Sequence, residues 1–166
     1  MKKVIEGDIM LGSLQLTELP SFLLDIEVDG NFICFDNNLT DLKNAPKTIL
    51  GSSSFYCNKN NLISLIGAPT YVGGNFYCQV NNITSLSGSP VDVYMFDCSF
   101  NSLKNLIGAP KEIMGSFLCH GNNLTSLAGI PKNIGGNFHI NKELKNLFPE
   151  KHIRKMSNIL ETVLYE

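Results

Sequence analysis

The chain has 166 residues, 43% of them hydrophobic and 17% charged, with a formal net charge of −2. These values fit one folded domain and exclude both a disordered chain and a nucleic-acid binder held by phosphate contacts. No stretch approaches the ~18 apolar residues that a membrane-spanning helix needs, so the expected partners include no nucleic acid and no membrane.

At the N-terminus, Lys2 and Lys3 begin like a secretion signal, but Glu6 and Asp8 interrupt the apolar run that would have to come next. The expectation is a cytoplasmic protein. Acidic residues crowd the first 44 positions: eight acids (Glu6, Asp8, Glu18, Asp25, Glu27, Asp29, Asp36, Asp41) face three lysines. A mildly acidic end favours a basic partner, although solvated surface charge is its ordinary explanation.

A repeat dominates the rest of the chain. Five segments share Phe-x-Cys-x-x-Asn, with cysteines at 34, 57, 78, 98 and 119, spaced 23, 21, 20 and 21 residues apart. Phe138-His139-Ile140 continues the register with Ile in the cysteine place, and Ile9-Met10-Leu11 begins it. After each cysteine come an Asn (Asn37, Asn60, Asn81, Asn101, Asn122), two aliphatic residues three apart, and a Pro. Three positions beyond each Pro stands Ile49, Val72, Val93, Ile113 or Ile134. Residues two apart on a strand share a face. Phe and Cys therefore point inward, and each coil contributes a short strand to a parallel sheet. Seven coils at ~4.8 Å stack to roughly 30 Å. Pro in the return path excludes a helix there and predicts extended chain. One coil cannot fold alone: burying its apolar side chains contributes ~8–15 kcal/mol, less than the cost of ordering its backbone. Stacking makes up the difference.

Residues 149–166 close the chain. Pro149 suits a first helical turn, and Ile153, Met156, Leu160, Val163 and Leu164 fall on one face of a helix over 149–165. The reading is a solenoid over residues 1–148 and a capping helix over 149–166 in the same domain. The first strand, near Gly7–Leu11, is left as an edge shielded by Lys2, Lys3 and Asp8.

The pattern resembles the leucine-rich repeat, L-x-x-L-x-L-x-x-N/C-x-L, and Val93-x-x-Phe96-x-Cys98-x-x-Asn101-x-Leu103 fits it without a gap. The short period and the Pro resemble the bacterial subtype of secreted effectors. The Gly-Gly-Asn-Phe-x-Cys phrase resembles phage and bacterial repeat proteins. The resemblance covers residues 4–148. It implies a mainly β leucine-rich-repeat solenoid with a parallel sheet on its concave face. It also implies a non-enzymatic protein binder, of the kind that inhibits or modulates a host defence protein in the host cytoplasm. Its Asn column is expected to hydrogen-bond the backbone at the turn after each strand.

Residues that suggest chemistry have simpler readings. All five cysteines share one inward column, where a thiol behaves as a small apolar group, and no Cys-x-x-Cys pair is present to mark zinc. His120 is next to Cys119 but points to the opposite face, so no thiol–imidazole dyad forms. His120 and His139 lie on different coils without a ligand spacing, so no metal site and no cofactor is assigned. Gly73-Gly74 and Gly135-Gly136 read as tight bends rather than phosphate loops. No catalytic grouping emerges, and none is expected.

What remains is the outward face of the strands. Its predicted partner-binding residues are Ile33, Phe35, Tyr56, Asn58, Tyr77, Gln79, Asp97, Leu118, His120 and His139. Exposed apolar and aromatic side chains in contiguous array mark interaction sites. Extra residues near Glu27–Gly30 and Leu50–Ser53 are expected to bulge beside this face. A structural alternative is an assembly protein that pairs through its N-terminal edge strand, so the chain is read as a monomer or an edge-paired homodimer.

Overall fold

A computed structural model describes residues 3–166. Apart from two short 3-10 turns and one helix, the chain forms two-to-four-residue strands in pairs. The first half holds β1 (Lys3–Glu6), β2 (Ile9–Met10), β3 (Ile26–Asp29), β4 (Phe32–Ile33), β5 (Thr48–Ile49), β6 (Phe55–Tyr56), β7 (Tyr71–Val72) and β8 (Phe76–Tyr77). The second holds β9 (Asp92–Val93), β10 (Phe96–Asp97), β11 (Glu112–Ile113), β12 (Phe117–Leu118), β13 (Asn133–Ile134) and β14 (Phe138–Ile140). The helix α1 (Glu150–Met156) comes next, then β15 (Asn158–Ile159) and β16 (Val163–Tyr165). Even-numbered strands form one eight-stranded parallel sheet in the order β16-β14-β12-β10-β8-β6-β4-β2. Odd-numbered strands form two four-stranded sheets, β1-β3-β5-β7 and β15-β13-β11-β9. The result is a parallel β-solenoid of about seven turns, mainly β, with one C-terminal helix.

The repeat explains each contact. Register pairs Phe with Phe from Phe32 to Phe138, and all six rings are fully buried. Successive rings stack at 5.2, 5.3, 5.4 and 5.5 Å between centroids, except that Phe96 and Phe117, 5.9 Å apart, are tilted by 60°. The cysteines line up beside them, unpaired and buried. Four of their thiols also donate to a carbonyl of the next coil: Cys57 to Tyr77 O, Cys78 to Asp97 O, Cys98 to Leu118 O and Cys119 to His139 O, at 3.3–3.4 Å. The column is thus a weak hydrogen-bond ladder as well as an apolar one.

The Asn column stitches adjacent coils. Asn101 Nδ2 donates to Cys98 O of its own coil and Cys78 O of the preceding one, each at 3.1 Å, and its Oδ1 accepts the Ile83 N–H at 2.9 Å. Asn60, Asn81 and Asn122 repeat the arrangement, and Asn37 does the same with Leu11 O. Buried turn groups need such partners, which is why the residue two positions after each Cys can bend sharply. That residue has positive φ in six successive coils: Ser13, Asp36, Lys59, Val80, Phe100 and Gly121. Only the last is glycine. Gly73 and Gly135 have a different cause: a Cβ there would collide with the carbonyl of Gly51 or Met114 in the coil before.

Two expectations need correction. Helix α1 spans Glu150–Met156 and stops at Ser157, which is extended. The residues after it supply an eighth rung instead, with Ile159 paired to Ile134 and Val163 to Phe138. Of the residues assigned to one helix face, Ile153 and Val163 are buried while Met156 and Leu160 are exposed; Ile159, not among them, is buried in the rung. An open sheet edge at β13 and β14 outcompetes further helix, because its unpaired backbone groups gain partners. Arg154 fastens this rung by donating to Ile159 O and Glu161 O, both at 2.6 Å.

The first insertion is not a bulge. Glu27–Asp29 lies within β3, paired along its length with β1. The extra length sits upstream, in the 3-10 turn Ser21–Asp25. The second insertion does form a turn, at Gly51–Ser52, closed by Ser53 N–H to Leu50 O. The return path is extended, as expected, and its segments pair into a ladder of strands. It breaks between β7 and β9, next to the one coil whose cysteine spacing is 20.

At the N-terminal end the predicted edge is present as β1 and β2. Lys2 lies outside the described residues. Asp8 is engaged internally, accepting from the Asn31 backbone and side chain. Among the described residues, no helix is long and apolar enough to cross a membrane.

Candidate binding face

Two outward columns run along the eight-stranded sheet. The first contains Met10, Ile33, Tyr56, Tyr77, Asp97, Leu118 and His139, held side by side by strand register. The second, one residue beyond each core position, contains Phe35, Asn58, Gln79, Ser99, His120 and Asn141. Parallel pairing without register slip brings equivalent residues of successive coils together. All ten predicted residues therefore share one face.

Their exposure differs from the expectation. Ile33, Phe35, Tyr56, Asn58, Tyr77, Gln79, Leu118, His120 and His139 are half-buried, and Asp97 is buried. Neighbours only one strand apart cover each other's flanks. Tyr56 and Tyr77 stack at 4.7 Å with a 16° interplanar angle, and Asn75 Nδ2 donates to the Tyr77 hydroxyl at 3.1 Å. Burial pushes the Tyr77 hydroxyl above its ordinary pKa, opposed by the Asn75 hydrogen bond and assisted by Tyr56 and Asp97. The carboxylate of Asp97 accepts from both the Ser99 N–H (3.0 Å) and the Ser99 hydroxyl (2.6 Å). Asp97 thus holds a turn and is poorly placed to meet a partner. The remaining side chains form a fixed relief.

The thiols offer no nucleophile. Burial raises every cysteine above its ordinary pKa. Cys119 Sγ donates to His139 O, whereas the His120 ring meets the edge of Phe100 at 5.1 Å.

Two features escaped sequence reasoning. Glu166 reaches the histidines: His139 Nδ1 lies 2.6 Å and His120 Nδ1 3.4 Å from its carboxylate. Nothing in the spacing of 120, 139 and 166 announces this, because the last rung reads as helix. The second is a groove over the odd-numbered strands, lined by Asp92, Glu112, Met114, Asn133 and Leu160 among others. Its polar floor is a ladder, with Asn158 Nδ2 donating to Asn133 Oδ1 and Asn133 Nδ2 to Glu112 Oε2. The residue before each return-path Ile or Val was the available signal. Several of the most exposed large apolar side chains, Met114, Leu160 and Phe22, also lie off the predicted face.

Compared with protein-family models, with curated proteins and with solved structures, the chain gives no match.

Proposed function

We propose that this protein is a non-enzymatic, leucine-rich-repeat-type binding module that grips a protein surface on the outward face of the eight-stranded sheet. The observation that carries this reading is the Tyr56–Tyr77 stack within a continuous face that runs from Ile33 to His139. Tyrosine provides large contact area with few rotors to freeze, and here the neighbouring rungs have already frozen them, which lowers the entropic cost of binding. The Asn ladder supports the repeat type. The buried, protonated thiols support a role without nucleophilic catalysis. The resemblance to phage and bacterial repeat proteins carries the narrower reading, an inhibitor or modulator of a host defence protein acting in the host cytoplasm.

The test compares capture from host lysate by the wild type, by Tyr56→Ala/Tyr77→Ala, and by Met114→Ser on the groove side. Circular dichroism establishes that each is folded. The tyrosine double variant should lose the species that the wild type and Met114→Ser retain. Identical capture by all three refutes the assignment of the face.

The open strands β1 and β2 favour a second reading, edge pairing into a homodimer or assembly. Sedimentation velocity over a concentration series tests it. A monomer at every concentration removes it.

A further inference from the structure

The two outward columns converge at the C-terminal end of the sheet. His120 stands just after β12, His139 lies within β14, and Glu166 stands just after β16, so three successive rungs each supply one side chain. One potential ligand atom from each lies within 4.8 Å of the others. His139 Nδ1 is hydrogen-bonded to Glu166 Oε1 at 2.6 Å. His120 Nδ1 stands 3.4 Å from Glu166 Oε2, is itself buried, and makes no hydrogen bond. Asn141, the residue after Ile140 as Glu166 is the residue after Tyr165, does not fill the gap. Its Oδ1 accepts the Asn122 N–H and its Nδ2 donates to Glu143.

We propose that His120, His139 and Glu166 form a binding site for one divalent transition-metal ion of the zinc class. Two imidazole nitrogens and one carboxylate suit zinc. Calcium and magnesium demand more oxygen donors. Around a tetrahedral ion with bonds of ~2.0–2.2 Å, donor atoms stand about 3.3–3.6 Å apart. The His120–Glu166 pair already has that separation. The His139–Glu166 pair reaches it when its hydrogen bond opens by less than about 1 Å, the ion taking the place of the proton. Binding would also give the orphaned His120 nitrogen a partner, removing the cost of leaving a buried polar atom unpaired. Glu166 is 45% exposed, so a fourth position faces solvent, the arrangement of an open three-ligand site. Because the ligands sit on three rungs, the ion would clamp the terminal coil to the two before it. This inference is independent of the protein-binding reading.

The chelator-treated 166-residue chain is titrated calorimetrically with zinc chloride in a non-coordinating buffer, with cobalt(II) absorption as a second readout. The expected result is one ion per chain in the micromolar range or tighter, with a thermal midpoint that zinc raises and EDTA restores. His120→Gln should weaken binding by about tenfold or more and shrink the zinc-induced rise in thermal midpoint; any loss of metal-free stability from the missing Phe100 ring contact is read separately, in EDTA. His139→Gln and Glu166→Gln should weaken it similarly, and His152→Gln should not. Absence of binding up to ~1 mM zinc overturns the proposal. So does stoichiometric binding that survives both histidine substitutions, or a cobalt spectrum with thiolate charge-transfer bands.

Discussion

Raising the pH should unfold this protein steeply, and its thiols are the reason. All five cysteines are buried, and burial holds each above its ordinary pKa. Ionisation would also break the S–H donations from Cys57, Cys78, Cys98 and Cys119. In the unfolded chain a thiol loses its proton near pH ~8.5. Above that pH the unfolded state holds fewer protons than the folded one, so stability falls as pH rises. Below it the contribution is fully present and constant. Each thiol adds a slope of about 1.4 kcal/mol per pH unit, so five acting together approach about 7 kcal/mol per unit. A domain with ordinary stability of ~5–15 kcal/mol should therefore unfold within one to two units above the thiol range, at roughly pH 10–11. Tyr77 and Tyr165, also raised chiefly by burial, act in the same direction at higher pH. The assay is urea denaturation under reductant, at half-unit steps from pH 7 to 10.5. Cys78→Ala/Cys98→Ala lowers the starting stability, but its slope should be about three-fifths of the wild-type slope. A midpoint that stays flat between pH 8 and 10, or equal slopes in the two proteins, refutes the reasoning.

The turn after each rung gives two further outcomes. Asn101→Ala strips partners from the Ile83 N–H and the Cys78 and Cys98 carbonyls, and should cost about 3–5 kcal/mol in chemical denaturation. Asn101→Asp should cost more at neutral pH, since an oxygen then faces those carbonyls. The buried carboxyl would hold its proton more tightly than in the unfolded chain, so this variant should regain stability as pH falls. Val80 has a left-handed backbone (φ 58°) and a largely exposed side chain. Val80→Asn should stabilise by about 0.5–1 kcal/mol, measured as a rise in urea midpoint, because Asn tolerates that region and a β-branched residue does not.

Sequence analysis located the inward and outward columns because strand alternation and a fixed repeat leave one consistent register. Phe32, Cys34 and Asn37, and their counterparts through Phe117, Cys119 and Asn122, were legible in this way. The Asn bonds were legible too, since a buried turn must satisfy its backbone groups. Exposure along the face was not. Whether Tyr56 stands free or leans on Tyr77 depends on a neighbour in the next coil, and strand alternation does not show that Asp97 turns to Ser99, two residues on, instead of to a partner.

The C-terminal segment shows the same division more sharply. Ile153 and Val163 are apolar at positions that suit a helix and a coil alike, and local periodicity has no means of choosing. By itself the sequence determined that the repeat needed closing and that Ile153 and Val163 would be buried; it also assigned Met156 and Leu160 to the core, where the structure leaves them exposed and buries Ile159. Only the tertiary structure decided that the segment closes it with a further rung, because the unpaired edge at β13 and β14 is a demand created by folding. That decision carries Glu166 to His120 and His139, and with it the one cluster of metal-ligating side chains among the described residues.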